Sequence, residues 1–397
     1  MMFAIVDVGL IAAGVFYFTF ALWLLMGVRR SRRASAGKST PCTSSAPATP
    51  SVSVIVAARN EAAHIACCLD ALSAQDYEGS LEIIVVDDRS TDETATKVQD
   101  WVQRASQAGT STRLISAPSP PLHQGPKKSA LAGGIAASSG ELLMFTDADC
   151  RPPSGWVTAM AACFDATGAD LVAGYADRDA EGPLQRVLRL DESGMGALAE
   201  GGIGHGVALS CTGRSLAYRR QLYDQVGGFD AIGHLISGDD VYFLRHVVAQ
   251  AQARLGYCAD PEAVVEEVRG RESWRSLMWQ KLRHASKASR YRGGARLLGF
   301  AVYGYHILLA IGLWRAVTQG EWVIFGAVWG TRWLMDALLL GTFAPRAEDR
   351  WRLCYLPFAE FLYIPYVVLL VPLARIFGFR WRDTPAAPPQ TSPSIQN

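Results

Sequence analysis

The sequence predicts an α/β domain with a mostly parallel sheet, flanked on both sides by transmembrane helices. Short apolar strands alternate with helical stretches in the middle of the chain, and charge-free runs stand near both ends. Charged residues make up only 19% of the 397 residues, against about 25% in soluble domains. The 38 basic and 37 acidic residues nearly cancel, so no net charge attracts nucleic acid. The eight cysteines form no C-x-x-C pair, which disfavours a disulfide framework or structural zinc and fits a reducing compartment.

The first apolar run predicts a membrane anchor. Residues 8–28 carry no charge, and at about 1.5 Å per residue this length matches the hydrocarbon core of a bilayer. Only Asp7 precedes the run, whereas four arginines follow it, Arg29, Arg30, Arg32 and Arg33. A signal peptide has the opposite order. We therefore predict an uncleaved anchor over residues 1–28 with its C-terminal side in the cytoplasm, the alternative being a buried core helix. A composition rich in Ser, Thr, Ala and Pro then predicts a flexible linker over residues 29–50.

Residues 51–296 have the pattern of an α/β domain. Short apolar runs predict strands at residues 52–56, 81–86, 113–115, 141–145 and 170–172. The stretches between them predict helices at residues 61–72, 92–104, 127–137 and 155–165. Strands that are apolar throughout, each followed by a helix, indicate a parallel sheet covered on both faces. Ligands of such sheets bind at the carboxyl ends of the strands.

The C-terminal membrane segments are predicted at residues 297–378, as two or three helices. Three apolar runs support them, at residues 297–314, 322–343 and 353–374. Arg332 and Asp336 lie one turn apart in the second run and can neutralise each other inside a membrane. Glu360 and three prolines in the third run predict a kinked, re-entrant or interfacial segment.

The number of C-terminal crossings stays open at this point. Three full crossings after a cytoplasmic domain would put Arg375, Arg380 and Arg382 outside, against the positive-inside tendency. Either one run does not span the membrane or the tendency is broken here. The tail, residues 379–397, is predicted to be disordered.

Polar residues follow three of the predicted strands, at residues 57–61 (AARNE), 87–92 (DDRSTD) and 146–149 (TDAD). Each alone could be a helix cap, but together at one edge of a sheet they indicate a binding site. Asp147 and Asp149 can share a hard divalent cation, which would neutralise a departing diphosphate. The chain has no Walker-type or G-x-G-x-x-G glycine loop. Metal and side chains would therefore hold a nucleotide diphosphate here.

Six segments, in order, resemble the successive motifs of membrane-anchored family-two glycosyltransferases. They are VSVIVAARNE, IIVVDDRSTDET, PKKSALAGGIAASSGELLMFTDADC, CTGRSLAYRRQLYDQVGGFD, SGDDVYFL and MWQKLRHASK. The fourth resembles the acceptor-side segment of that family, and the last is similar to its Q-x-x-R-W motif. The resemblance covers about residues 51–290. It implies the GT-A fold, a Rossmann-like nucleotide-diphospho-sugar transferase domain, here flanked by transmembrane helices.

The resemblance also implies roles for individual residues. A substrate-binding set would hold the base, ribose, diphosphate or acceptor: Ala58, Arg59, Glu61, Asp87, Asp88, Lys127, Asp147, Gln280 and Arg283. Asp149, with Asp147, would coordinate Mg²⁺ or Mn²⁺. Asp240 matches the general base, with Asp239 beside it where many relatives have Glu. His284 replaces the usual Trp of the last motif, which argues against acceptor stacking on an aromatic plane and against a processive polymer synthase.

Several of these residues also have a simpler structural interpretation. Asp239 and Asp240 could cap the helix that the following apolar residues predict. Arg283 belongs to a basic stripe that could lie at a membrane surface. His205, in the glycine-rich stretch GGIGHGVALSCTG, either lies on a mobile acceptor loop or is an ordinary loop histidine.

We therefore expect an inverting glycosyltransferase that moves a sugar from a UDP-linked donor to a hydroxyl of a lipid or lipid-linked acceptor. It would be a multi-pass protein of the inner or plasma membrane with a cytoplasmic catalytic domain. One alternative is a synthase or extender of a surface polysaccharide. Two others belong to different classes, namely a transporter built on intramembrane charges and a catalytically silent membrane scaffold. A silent scaffold is expected to lack one of Asp88, Asp149 and Asp240, and all three are present.

Overall fold

The structure is a computed structural model, and it falls into two compact units that we describe separately. One, the sheet unit, consists of Trp23–Arg269 and Leu339–Arg352. The other, the helical unit, consists of Met1–Leu22, Gly270–Leu338 and Leu353–Asn397. The structure describes residues 2–36, 49–107, 111–119, 125–178, 183–235, 238–268, 282, 294–344, 346–377, 380–381 and 384–385.

The strands and helices follow one another along both units. The strands are β1 Val52–Ala58, β2 Leu81–Asp87, β3 Ser111–Ser116, β4 Leu142–Asp147, β5 Cys150–Arg151, β6 Leu171–Ala173, β7 Ala176–Arg178, β8 Leu216–Arg219, β9 Leu255–Tyr257, β10 Val265–Glu267, β11 Arg380–Trp381 and β12 Thr384–Pro385. The helices are α1 Met2–Ala36, α2 Ile65–Ser73, α3 Thr94–Gln107, α4 Pro126–Ala137, α5 Trp156–Thr167, α6 Pro183–Ile203, α7 Arg220–Gln225, α8 Val241–Ala251, α9 Gly294–Gln319, α10 Trp322–Phe343 and α11 Leu356–Phe377.

A seven-stranded sheet in the order β3-β2-β1-β4-β8-β6-β9 forms the centre of the sheet unit. Its pairs are parallel except where β8 meets β4 and β6, to both of which it runs antiparallel. The predicted α/β class with a mostly parallel sheet is therefore confirmed. A second sheet, in the order β5-β10-β7, continues from the end of β4.

Burial explains why the central strands are apolar throughout. β1 and β4 are buried over almost their whole length, and Val54, Val56 and Met144 are 0% exposed. Trp156 of α5 packs into the same core. Each fully buried side chain of this size stabilises the fold by about 1.5–3 kcal/mol relative to exposure. An alternating strand could not be covered on both faces in this way.

The sheet unit contains elements that the sequence prediction lacks, including strands β5, β7, β8, β9 and β10 and helix α6. Strand β8, with the four residues LAYR, pairs with β4 and β6 from distant parts of the chain, and the local sequence pattern does not show these contacts. Helix α2 begins at Ile65, later than the predicted residue 61. Before it, the backbone amides of Glu61 and Ala62 donate hydrogen bonds to the side chains of Thr94 and Asp92, respectively.

Among the described residues, four helices are long and apolar enough to cross a membrane by length and composition. The candidate spans are Ile5–Ser35, Arg296–Gln319, Trp322–Phe343 and Asp349–Leu370. Helix α1 continues to Ala36, so it includes the first residues of the segment predicted as a linker from residue 29. Residues 29–36 contain neither Pro nor Gly, and Arg32 is held by ion pairing to Glu200 of α6 at 3.2 Å.

A group of charged and aromatic side chains lies inside the helical unit. Arg332 is 4% exposed and lies 3.7 Å from Asp336 and 3.3 Å from Glu360. Tyr17 donates a hydrogen bond to Asp336 at 2.5 Å. The expected pairing of Arg332 with Asp336 is therefore present, and Glu360 joins it from α11. That helix continues past both internal prolines, Pro365 and Pro372.

Candidate active site

The carboxyl ends of β1, β2 and β4 bring the predicted acidic residues to one edge of the sheet. Ala58 pairs with Asp87 across β1 and β2, and Ala57 pairs with Asp147 across β1 and β4. Neighbouring strands lie about 4.8 Å apart, so each aspartate stands one strand away from the end of β1. The register confirms that these strand ends share an edge.

Two arginines surround Asp88, just beyond the end of β2. Asp88 is 6% exposed, and its carboxylate lies 3.9 Å from Nη1 of Arg59 and accepts a hydrogen bond from Arg89. Arg89 has a φ of 57°, in the left-handed region that such a residue seldom adopts, and Asn60 has a φ of 54°, which asparagine tolerates better. The loop that leaves β2 thus holds a strained backbone at Arg89, beside this carboxylate.

Hydrogen bonds join these two loops. Asn60 accepts one at Oδ1 from the backbone N of Thr91 at 2.8 Å, and the backbone N of Glu61 donates to Thr94 Oγ1 at 2.8 Å. Of the residues predicted to line the base pocket, Ala58 and Glu61 are buried, whereas Arg59 is partly exposed. The loops therefore form one linked rim on the β1–β2 side of the edge.

Lys127, in the first turn of α4, joins two carboxylates. Its Nζ lies 2.9 Å from Oδ1 of Asp147 and 3.1 Å from Oδ2 of Asp239. Burial by itself lowers the pKa of a lysine, but the charges of Asp147 and Asp239 outweigh it and raise the pKa of Lys127. Lys127 is therefore positively charged at neutral pH. A narrow cavity beside it is lined by Lys127, Leu131, Phe145, Asp147, Gly213, Leu216, Tyr218, Phe229 and Asp239.

Asp149, the second acid of the Asp-Ala-Asp motif, is 5% exposed. Its carbonyl accepts a hydrogen bond from the backbone N of Val268 at 2.8 Å, which ties the motif to the end of β10. The thiol of Cys68 lies 3.6 Å from the carbonyl of Asp147. Burial, together with the charge of Asp149, raises the pKa of Cys68, so this thiol stays neutral beside the acidic motif.

Asp239 and Asp240 precede α8 and differ in what they contact. Asp240 is the N-cap of α8, and its Oδ1 accepts a hydrogen bond from the backbone N of Val241 at 2.7 Å. The helix-capping interpretation thus applies to Asp240, while Asp239 pairs with Lys127. A Cβ placed on Gly213 would lie 3.6 Å from Oδ2 of Asp239 and 3.8 Å from Cβ of Asp240. The structure therefore brings Lys127, Asp147 and both members of the Asp239-Asp240 pair to one place.

Some predicted site residues lie outside the described part of the chain. They are Gln280 and Arg283, with the neighbouring Lys281, His284, Lys287 and Arg290. The assignment of the last motif to the diphosphate or acceptor therefore stays a prediction.

The sequence-based prediction missed the aromatic and glycine residues that line the cavity. The ring of Tyr218 stacks on that of Phe145, with centroids 4.7 Å apart, and Phe229 and Gly213 complete the same wall. Three of these four residues belong to the segment CTGRSLAYRRQLYDQVGGFD, which the resemblance assigns to the acceptor side as a whole. The motif was thus the available signal, but it did not show which of its side chains face inward.

The mixed sheet with acidic residues at its strand ends is a GT-A-like fold. Residues 53–227 match the family model described as Glycosyl transferase family 2. Over these residues the chain is similar to that family. A solved structure with the same fold is mannosyltransferase PcManGT from Pyrobaculum calidifontis, in complex with GDP-Man and Mn²⁺. It is 20% identical, with a TM-score of 0.54 over 90% of this chain and 99% of that one.

Two curated relatives are similar to part of the chain. Glycosyltransferase AglE of Haloferax volcanii is 32% identical over 197 residues, which are 49% of this chain and 60% of AglE. The probable glycosyltransferase YdaM of Bacillus subtilis is 28% identical over 186 residues, 46% of this chain and 43% of YdaM. The chain thus matches between about two fifths and three fifths of the length of these relatives.

Proposed function

We propose that this protein transfers a sugar, with inversion, from a nucleotide-diphosphate sugar to an acceptor hydroxyl. The observation that carries the proposal is the position of Lys127, 2.9 Å from Asp147 and 3.1 Å from Asp239. These contacts join the strand-end carboxylates to the Asp239-Asp240 pair in one cleft. A transfer reaction needs such an arrangement, because the donor and the attacking hydroxyl must meet in a defined geometry.

We assign the nucleotide to the rim formed by the loops after β1 and β2. Asp87 and Asp88 supply carboxylates for the base and ribose, and Arg59 supplies a planar cation that can stack on the base. A UDP-linked sugar is our first choice, with GDP-mannose as the comparison because PcManGT was solved with it. Gln280 and Arg283 remain proposed contacts of the diphosphate or acceptor.

Asp147 and Asp149 suit Mg²⁺ or Mn²⁺, because hard cations prefer carboxylate oxygens supplemented by substrate phosphates and water. Among the described residues, no group of three or more His, Cys, Asp and Glu is arranged to hold a metal. A two-carboxylate site that the donor's phosphates complete is consistent with that finding. The bound cation would neutralise charge on the departing diphosphate. Lys127 places a second positive charge beside Asp147.

Asp240 is our proposed general base. It would accept the proton of the acceptor hydroxyl while that oxygen forms a bond to the anomeric carbon. The bond from this carbon to the diphosphate breaks on the opposite face, and the diphosphate leaves with the electron pair. The hydrogen bond from Val241 to Oδ1 of Asp240 fixes the direction of the carboxylate. Asp239, held by Lys127, would keep the pair in place.

The test compares aspartate variants of the full-length protein in detergent micelles. Asp240→Asn should lower the transfer rate about 10²–10⁴-fold, the range for loss of a general base, while a nucleotide sugar with Mn²⁺ still raises the melting temperature. Asp149→Asn should instead lose the Mn²⁺-dependent part of that rise. Asp100→Asn, an exposed position on α3, is the control and should transfer normally. Near-normal turnover by Asp240→Asn would rule out this base.

We further propose that the acceptor is a lipid or lipid-linked hydroxyl at the cytoplasmic face of the cell membrane. Candidate membrane spans precede and follow the family-two domain in the chain, which keeps the domain close to a bilayer. Arginines after the first span favour a cytoplasmic position for the domain. Incubation of membranes with a radiolabelled nucleotide sugar and extraction into organic solvent tests this acceptor. Lipid-soluble label supports it, and water-soluble polymer would instead support extension of a surface polysaccharide.

The silent-scaffold alternative makes an opposite prediction. A well-folded protein that neither transfers nor hydrolyses any nucleotide sugar with Mg²⁺ or Mn²⁺ would support a scaffold. A nucleotide sugar present at 100 times its dissociation constant should stabilise an enzyme by about 2.7 kcal/mol. Screening UDP- and GDP-linked sugars by melting temperature therefore separates the two classes before an acceptor is known.

A further inference from the structure

We propose that the C-terminal end of helix α1 positions the loop leading into the active site, with His205 as the positioning residue. We define the loop as residues 204–213. Its connection to catalysis rests on the proposed function, whereas its contact with α1 does not. Helix α1 would then act in two ways, as a membrane anchor and as a support for the transferase site.

Helix α1 crosses the end of α6 and the start of the loop at glycines. A Cβ on Gly27 would lie 2.0 Å from the carbonyl oxygen of Gly201, and a Cβ on Gly204 would lie 2.0 Å from the carbonyl oxygen of Gly27. No side chain fits at either position, so the two backbones are in direct contact. Leu24 and Val28 are buried beside the crossing. The end of α1 is therefore packed into the sheet unit.

His205, the second residue of the loop, is held through its ring by α1. The ring stacks on that of Trp23, with centroids 4.3 Å apart and planes 11° from parallel. Nε2 donates a hydrogen bond to the carbonyl of Trp23 at 2.8 Å, and Nδ1 accepts one from Arg30 at 3.3 Å. A carbonyl can only accept and a guanidinium can only donate. Both contacts therefore require the neutral imidazole with its proton on Nε2.

The far end of the loop reaches the proposed catalytic residues. Arg245 of α8 donates hydrogen bonds to the carbonyls of Ala208 and Leu209, both at 3.3 Å. At the end of the loop, a Cβ on Gly213 would lie 3.6 Å from the carboxylate of Asp239. The loop is thus held by α1 at its beginning and by α8 in its middle before it meets the active site. A displacement of about 1 Å at such a site can cost about 10²-fold in rate.

The experiment measures backbone hydrogen exchange and sugar transfer on the full-length protein in micelles. His205→Ala should speed exchange of residues 206–213 about tenfold or more, since loss of local contacts lowers the free energy of local opening. Transfer should fall about 10- to 100-fold, while a nucleotide sugar with Mn²⁺ still raises the melting temperature as in the wild type. His205→Gln can donate and accept in the same places and should recover part of the transfer rate.

Two controls separate positioning from general damage. His246 contacts the carbonyl of Val226 at 3.3 Å, so His246→Ala removes a histidine–carbonyl contact elsewhere and should leave exchange of the loop unchanged. Gly27→Val should reproduce the His205→Ala effects, whereas Met26→Val, at an exposed neighbouring position, should not.

Unchanged exchange of residues 206–213 in His205→Ala overturns the proposal. It is also overturned if the donor-induced rise in melting temperature disappears together with transfer, because the variant has then lost structure in general. Absence of any nucleotide-sugar response in the wild type contradicts the proposed function instead. In that case, the comparison of hydrogen exchange between the wild type and His205→Ala still tests whether α1 holds the loop.

Discussion

Lys127 is the residue on which the two sides of the site depend. It carries one positive charge between carboxylates from β4 and from the turn before α8, at 2.9 and 3.1 Å. Two negative groups this close to each other would repel without it. The charges of Asp147 and Asp239 raise the pKa of Lys127, and this favours its charged form. Lys127 therefore has a structural task even before a donor binds.

A double-mutant cycle tests this coupling. Lys127→Met and Asp239→Asn should each lower transfer by about 10²-fold or more, typical for loss of one positioned charge or donor. Because both remove the same ion pair, the double variant should be little worse than either single one. Lys127→Met combined with Asp100→Asn should show no such coupling. Independent, multiplying effects for Lys127 and Asp239 would contradict the shared role.

At the scale of single elements, helix α4 connects the active site to the core of the sheet unit. Its first turn carries Lys127, and near its end Gly134 meets the sheet. A Cβ on Gly134 would lie 2.6 Å from Cγ2 of Ile55 and 3.0 Å from Cγ2 of Val86. Both neighbours are β-branched strand residues with little rotamer freedom. The glycine therefore sets the distance between α4 and the sheet.

Gly134→Ala should destabilise the fold by about 1–3 kcal/mol, the range for overpacking. A methyl group added to Gly194 in α6 would have no atom of the described residues within 4 Å. Gly194→Ala should therefore stabilise by up to about 1 kcal/mol through helix propensity. Melting temperatures of the two variants provide the comparison. Equal shifts would show that α4 can move away from the sheet without cost.

Glu200 gives helix α6 a pH-dependent contribution to stability. Burial, partly offset by the charge of Arg32, raises the pKa of Glu200 from 4.5 to about 7. The folded state therefore binds the proton more tightly than the unfolded state. The stability that this tighter proton binding adds is fully present below pH 4.5 and is lost as pH rises to about 7. Over this range the free energy of unfolding falls by up to about 1.4 kcal/mol per pH unit.

Melting curves between pH 5 and 8 test the contribution of Glu200. The wild type should lose stability relative to Glu200→Gln as pH rises, and the difference should level off above about pH 7. The Gln variant keeps the size of the side chain but has no proton to lose. Parallel curves for the two proteins would contradict the assignment.

The sequence predicts β1 and β4 but neither β5 nor β8. β1 and β4 are apolar because both faces are covered, which leaves a signal in every residue. β8 has four residues and β5 has two, and their places depend on partners far away in the chain. The same limit applies to the site. Asp147 and Asp239 were predicted from motifs, but their meeting at Lys127 is a long-range contact.

At the scale of the whole molecule, a cluster of buried charges joins the helices of the helical unit. Arg332 contacts Asp336 and Glu360, and its guanidinium lies 5.4 Å from the ring centre of Tyr17. These residues come from α1, α10 and α11, so the cluster fixes how three helices are aligned. Removal of one partner leaves buried charges without compensation, which is costly.

Arg332→Ala should therefore destabilise the protein in micelles by about 3–5 kcal/mol, the range for breaking a buried ion pair. Val323→Ala, on the same helix at a position that is 85% exposed, is the matched control and should change stability little. Unfolding in a graded detergent series measures both. A similar midpoint for the two variants would show that the cluster does not hold the helices together.

The pairing of β1 with β4 limits where residues can be inserted or deleted in this chain. Asp147 stands opposite Ala57, and successive side chains of a strand point to opposite faces. Deletion of one residue within β4 would turn every side chain of the strand over and carry Asp147 away from Lys127. Insertions and deletions should therefore be tolerated between the strands and not inside them, even where the deleted residue is only a buried Leu or Met.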